Sequence, residues 1–175
     1  MDELMLITPT LEYGKAIMEY KKEFLNVNSP LNGCGALRRV ETPEDFISEV
    51  QSDLRRETLK EGRVCATLLL CVRKQDNKIV GMIQIRHYLN EYLEQFGGHI
   101  GYSVRPTERG NGYAKHMLKL ALPICKKLGI EKVLITCDEI NRASEKTILA
   151  NGGIYDSTVF SKAEEEYLKR YWINL

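Results

Sequence analysis

The stretch Val104-Arg105-Pro106-Thr107-Glu108-Arg109-Gly110-Asn111-Gly112-Tyr113-Ala114 decides how this chain reads. Before it, His99–Val104 is β-prone. After it, Met117, Leu118, Ala121, Leu122, Ile124, Cys125 and Leu128 recur at helical spacing, and Gly129 is a natural stop. Pro123 inside that stripe predicts a local weakening of the helix. The stretch is therefore a strand–Gly-x-Gly–helix turn. A helix N-terminus leaves N–H groups unpaired and carries a partial positive charge. Glycines let a phosphate approach the backbone closely. Such a turn suits a pyrophosphate, and Arg109 adds a formal charge beside it. Two nucleotide motifs are excluded. No Gly-Lys-Ser/Thr is present for a Walker loop, and Lys115 stands where the dinucleotide fingerprint needs a third glycine. Taken alone, Gly-x-Gly also serves as a plain tight turn.

Working outward, Leu4–Thr8 reads as a short strand, and Thr8-Pro9 starts a helix whose stripe is Tyr13, Ala16, Ile17, Tyr20 and Phe24. Asn26–Gly35 is a loop. Thr42-Pro43-Glu44-Asp45 is a capped start for a helix carrying Phe46, Ile47, Val50 and Leu54. Val64–Arg73 and Ile79–Arg86 form a hairpin about Gln75–Lys78, and Tyr88–Gly98 is irregular. Beyond the long helix come a strand at Val133–Cys137, a short helix at Ala143–Asn151, and closing strands at Ile154–Val159 and Leu168–Ile173. This order predicts an α/β (α+β) fold: a mixed, mostly antiparallel sheet flanked by helices.

The length of 175 residues predicts one domain over residues 1–175, with 43% apolar and 28% charged residues typical of a globular chain. Lys+Arg is 25 against Asp+Glu 24, a net charge of +1, which argues against a nucleic-acid or membrane-surface binder. No apolar run reaches the ~18 residues of a membrane span, and Met1-Asp2-Glu3 has no basic leader region. Cys34, Cys65, Cys71, Cys125 and Cys137 are irregularly spaced without a C-x-x-C. They suit reduced cysteines in a cytoplasmic protein, and no cluster has metal-ligand spacing. Cys34, between Gly33 and Gly35, reads as the one cysteine in a flexible loop.

Thr107-Glu108-Arg109-Gly110-Asn111-Gly112 after Val104-Arg105-Pro106 resembles the Q/R-x-x-G-x-G/A signature of the GNAT superfamily of acetyl-CoA-dependent N-acetyltransferases, with Thr107 at its first position. Asn141-Arg142-Ala143-Ser144 and Asn151-Gly152-Gly153 resemble a second block of that family, with Gly153 replacing its usual aromatic. The likeness spans nearly the whole chain. It is nearest to a branch of uncharacterised bacterial predicted acetyltransferases and extends to ribosomal-protein N-terminal acetyltransferases. The resemblance implies transfer of acetyl from acetyl-CoA to a primary amine, on a small molecule or a peptide end, by direct attack. It implies that Arg109, Gly110, Asn111, Gly112, Tyr113 and Ala114 wrap the pyrophosphate, and that Val104 pairs with the pantetheine arm. Asn141 would contact the pantetheine, and Ser144 would lie near the thioester sulfur. Lys115, Arg142 and Lys146 are candidates for the 3′-phosphate or plain surface charges. The family's acid is a tyrosine where this chain has Ile148, which leaves Tyr102, Tyr155 and Ser144 as candidates.

A general base works best with a pKa near the working pH, where histidine starts. His99, opening the strand before the glycine turn, is the first candidate and His87 the second; Glu91 and Glu94 are carboxylate alternatives. His116 lies within the helix and reads as packing or surface. Each histidine reads equally well as a hydrogen-bonded structural residue. Tyr88, Tyr92 and the Tyr167–Trp172 aromatics are candidates for an acceptor pocket. Partners are acetyl-CoA, an amine acceptor and, as an open alternative, a second copy of the chain in a homodimer. The rival readings are a non-catalytic CoA-binding module and an interaction domain.

Overall fold

Four strands pair in chain order in the computed structural model, which describes Asp2–Leu175. They are β1 (Leu4–Ile7), β2 (Ala66–Arg73), β3 (Lys78–Arg86) and β4 (Ile100–Val104), each antiparallel to the next. A second antiparallel sheet has the order β5 (Lys132–Asp138), β7 (Glu166–Asn174), β6 (Ile154–Ser161). The α/β architecture with helix-flanked antiparallel strands is thus as the element order predicts. What the order did not reveal is that β4 and β5 do not form a ladder, so the sheet parts there.

The helices form where their caps and stripes place them. α1 (Gly14–Asn26) buries Ile17, Tyr20 and Phe24 fully. It begins later than Pro9: a short 3₁₀ turn at Leu11–Tyr13 precedes it, and Pro43 packs so closely on Gly14 that a Cβ there would lie 2.9 Å from Pro43 Cβ. α2 (Pro43–Ser52) has the read cap, with Thr42 Oγ1 accepting from Asp45 N–H at 3.1 Å. α3 (Tyr113–Lys127) buries Met117, Leu118, Ala121 and Cys125, while Pro123 sits on its exposed face and the helix continues through it. α4 (Arg142–Leu149) is capped by Asn141, whose side chain accepts from Ser144 N–H at 3.1 Å. The segment before β4 is not wholly irregular, because a helical turn runs through Leu93–Gly97, and Asn90 Oδ1 caps it at Leu93 N–H.

Two cores lie on opposite faces of the first sheet. α1 and α2 with the 34–40 segment cover one face; α3, α4, β5 and β7 cover the other. Cys34 is not in an open loop: it is fully buried, its thiol is 3.2 Å from Ser103 Oγ, and burial pushes its pKa up to about 12. Gly33 has φ +69°, and its backbone crosses β4 so closely that a Cβ would lie 2.2 Å from the Gly101 carbonyl oxygen. Among the described residues, no helix is long and apolar enough to cross a membrane, and no His/Cys/Asp/Glu group could hold a metal ion.

The two sheets meet at one point. Gly98 bridges Ile135, His99 N–H donates to the Leu134 carbonyl at 2.7 Å, and Leu134 N–H donates back to His99 Nδ1 at 2.9 Å. Burial, assisted by the Arg86 charge, pushes His99 from an ordinary 6.5 down to about 4. Between those values the folded imidazole is neutral while the unfolded one gains a proton. Stability should therefore fall as pH drops from about 6.5 to about 4. His99→Asn, which keeps an acceptor but cannot titrate, should flatten that slope in denaturant titrations across the range. Parallel profiles for the two proteins would contradict it.

Candidate active site

β4 is the last strand of its sheet, and its far edge is free. In an antiparallel ladder, alternate residues turn their N–H and C=O to the partner. The bonds from Arg86 N–H to the His99 carbonyl (2.7 Å) and from Arg105 N–H to the Val80 carbonyl (2.8 Å) fix the phase. Gly101 and Ser103 therefore serve β3, while Tyr102 presents its N–H and carbonyl, and Val104 its N–H, to the gap before β5; the Val104 carbonyl accepts from Arg109 Nε. This row of donors and acceptors can receive an extended amide chain as a strand would.

The row leads into the glycine turn. Gly110 and Gly112 have φ +86° and +76°, left-handed values that favour glycine, and a Cβ on either would meet nothing within 4 Å. The space over the turn is open. Gly112 is the N-cap of α3 and makes no side-chain cap. The first bond inside the helix runs from His116 N–H to the Gly112 carbonyl (3.2 Å), which leaves Tyr113, Ala114 and Lys115 N–H groups without intrahelical acceptors. These groups and the helix dipole form a positive, open mouth.

The turn is held from behind. Asn111 Nδ2 donates to the Glu108 carbonyl (3.1 Å). The Glu108 carboxylate is buried against Arg73 and Lys78; burial opposes its ionisation, but the two cations outweigh it and hold its pKa below the ordinary value. Thr107 donates to Glu23 through both N–H (2.9 Å) and Oγ1 (2.7 Å), tying the turn to α1. Arg109 differs from the expectation that its charge stands by the turn. Its guanidinium reaches back to Ser29 Oγ (2.7 Å) and the Val104 carbonyl (3.2 Å) and lies over the Phe24 ring.

Across the gap stands α4. Tyr102 hydroxyl and Ser144 Oγ are 2.7 Å apart, joining β4 to α4 beside the Asn141 cap. Burial pushes Tyr102 up to about 12, so it stays protonated at neutral pH. Ile148 is fully buried, and a Cβ at position 153 would lie 2.5 Å from Ile148 Cγ2. The two departures from the family pattern, Ile148 and Gly153, are thus in contact. Lys115, Arg142 and Lys146 are exposed, and Arg142 pairs with Glu145 at 2.9 Å.

Both candidate histidines line one cavity of 370 Å³ with Glu94 and Trp172. His99 cannot readily serve as a base: Nδ1 already accepts the Leu134 N–H, so the neutral ring carries its proton on Nε2 and has no free lone pair. It is a positioning residue. His87 Nε2 lies 2.8 Å from Thr67 Oγ1, Nδ1 has no protein partner among the described residues, and burial lowers its pKa. Glu91 is exposed on the turn beside Tyr92. Successive strand residues face opposite ways, so Arg86 projects to the other side of β3 from His87. There a second cavity, of 340 Å³, is lined by Arg39, Asp53, Gln84, Arg86 and Tyr92. Sequence reading missed this cavity apart from Tyr92. The signal was polar Gln84 and Arg86 continuing the face that begins with Met82 in an otherwise apolar strand.

Residues 35–150 match the model of the acetyltransferase (GNAT) family. No curated protein sequence matches the chain. Among solved structures, the chain is similar to the ribosomal-protein-S5-alanine acetyltransferase from Vibrio fischeri (18% identity, TM-score 0.71, covering 98% of this chain and 91% of that one). It is similar to a ribosomal-protein α-N-acetyltransferase in complex with coenzyme A (16% identity, TM-score 0.71, 98% and 94% covered). A microcin self-immunity acetyltransferase in complex with acetyl-CoA and AMP shares the fold at 20% identity (TM-score 0.65, 100% and 94% covered). The free edge of β4, the glycine turn and the matched family model agree, and the chain belongs to the GNAT acetyltransferase family.

Proposed function

We propose that this acetyltransferase moves the acetyl group of acetyl-CoA directly to a primary amine of a small molecule or a peptide N-terminus. The observation that carries the reading is the β4 edge left without a partner strand, with Tyr102 N–H and carbonyl and Val104 N–H turned to the gap and leading into the open N-terminus of α3. Main-chain N–H groups of Gly110 to Ala114 would receive the pyrophosphate, with Asn111 bracing the turn and Arg109 steadying the β4 edge. Val104 would pair with a pantetheine amide, and Asn141 and Ser144 would flank the arm from α4. Deeper in the gap, Tyr102 N–H would donate to the thioester oxygen as it becomes anionic. The amine nitrogen attacks the carbonyl carbon, the C–S bond breaks, and the thiolate leaves. A thiol has a pKa of roughly 8.5, so its thiolate leaves near neutral pH without a strong acid, which fits a chain carrying Ile148. The cavity on the Arg86 face would take the acceptor, and Glu91, exposed between Asn90 and Tyr92 of its lining, would accept the amine proton through water. His87, on the opposite face, is the alternative base.

Acetyl-CoA at about 100 times its dissociation constant should stabilise the protein by roughly 2.7 kcal/mol, a rise of several degrees in Tm, while ATP and NADH should not. Gly112→Glu, which sets a carboxylate in the open mouth, should abolish that rise. Equal rises with all three nucleotides, or an unaltered rise in the variant, would contradict the site.

Tyr102→Phe tests whether the hydroxyl positions or protonates. Breaking its bond to Ser144 should weaken acetyl-CoA affinity and lower kcat by less than about tenfold. A loss of kcat of about 100-fold, the lower range for proton transfer, would instead make it the acid.

For the base, Glu91→Gln should lower kcat/KM by about tenfold or more, with acetyl-CoA binding retained, and His87→Ala should leave it nearly unchanged. The reverse pattern would move proton acceptance to the His87 face.

A further inference from the structure

The second cavity holds an arginine that has no ion pair among the described residues. Arg86 ends β3 on the α1–α2 face. Its Nη1 donates to the Gly97 carbonyl (3.1 Å) and the Gly98 carbonyl (3.0 Å), both neutral acceptors. Nε and Nη2 have no protein partner among the described residues. Nη2 lies close to β4: a Cβ at Gly101 would stand 3.7 Å from it, on a face that the Gly33 backbone also covers. Withdrawing a guanidinium from water without a balancing anion is costly.

The carboxylate in the cavity's lining, Asp53, is already engaged. Arg63 takes Glu49 and Asp53, each at 3.1 Å, and Lys60 also pairs with Glu49. Arg39, at the mouth, has no ion pair among the described residues, and the Gln84 amide has no hydrogen-bond partner there. Two unpaired cations and a free amide therefore face one hollow, bordered by Gly35, where a Cβ would stand 3.5 Å from Gln84 Nε2. The hollow lies beside the reaction centre proposed above, because the Gly98 that Arg86 holds is the residue bridging to Ile135 where the sheets meet.

Resting on the reading that this cavity receives the acceptor, we propose that the acceptor amine also carries a carboxylate, which docks on Arg86 and is reinforced by Arg39 and Gln84. A planar carboxylate accepts paired N–H bonds from a guanidinium, a match that an isolated ammonium or hydroxyl does not make. A volume of 340 Å³ is at the small end of ligand sites and suits an amino acid or dipeptide. A carboxylate seated there would turn the nearby amine toward the gap between β4 and β5.

The test uses the full chain and a panel of free α-amino acids and dipeptides, each beside its C-terminal carboxamide, with thiol release from acetyl-CoA as the readout. At least one free acid should show a kcat/KM at least about tenfold above that of its carboxamide. Arg86→Gln should bring that ratio to about one, mainly through KM for the acid, and Arg39→Ala should reduce it less. The matched pairs on the unaltered protein keep the test sharp even where Arg86→Gln loses stability with its Gly97 and Gly98 bonds. Equal turnover of acids and carboxamides, preference for carboxamides, or no turnover of any acid while acetyl-CoA still raises Tm would overturn the proposal. No rise with acetyl-CoA would overturn the underlying cofactor reading and this proposal with it.

Discussion

The reciprocal pair of hydrogen bonds between His99 and Leu134 is the contact on which the site depends. It closes the two sheets at one point, and among the described residues no backbone bond joins them beyond it along β4. Had β4 and β5 paired along their length, Tyr102 and Val104 would be spent on a ladder and no edge would remain for a ligand. The geometry needs Gly98: at φ +65°, a Cβ there would lie 2.5 Å from the Leu134 carbonyl oxygen. Arg86 ties down the same turn from the other face. A low imidazole pKa follows from this role, because an acceptor ring buried beside an arginine cannot easily take a proton.

Charge is arranged to keep the turn rigid and its mouth open. The overall charge is close to zero, yet Glu108 with Arg73 and Lys78, and Glu23 with Thr107 and Arg105, are concentrated behind the glycine turn. In front, the α3 N-terminus is left with unpaired N–H groups and no capping side chain. Acidic side chains that could compete for this mouth are turned to the rear, where cations hold them.

Much of this was legible in the sequence. The glycine turn, the α3 stripe and the Thr42 cap are local patterns, and they stand where the residues place them. Non-local facts were not legible. Cys34 between two glycines reads as flexible, but the Gly33 backbone crosses β4 and Cys34 itself is buried in the core that holds Tyr20 and Phe24 of α1. His99 has the residue type of a base, yet a lone pair committed to Leu134, 35 positions away, cannot be read from spacing. The Arg86 cavity is similar: its unpaired state depends on Asp53 and Glu49 already being taken by Arg63 and Lys60. Ile148 and Gly153, apparently separate departures from the family pattern, become one feature only when the α4 turn folds them together.

The most direct measurement is amide hydrogen exchange, residue by residue, with and without acetyl-CoA. The account predicts that acetyl-CoA slows exchange at Tyr102 and Val104 and across Gly110 to Lys115, while Gly101 and Ser103, already bonded to β3, change little. Protection spread evenly along β4, or confined to segments away from this edge and turn, would contradict it.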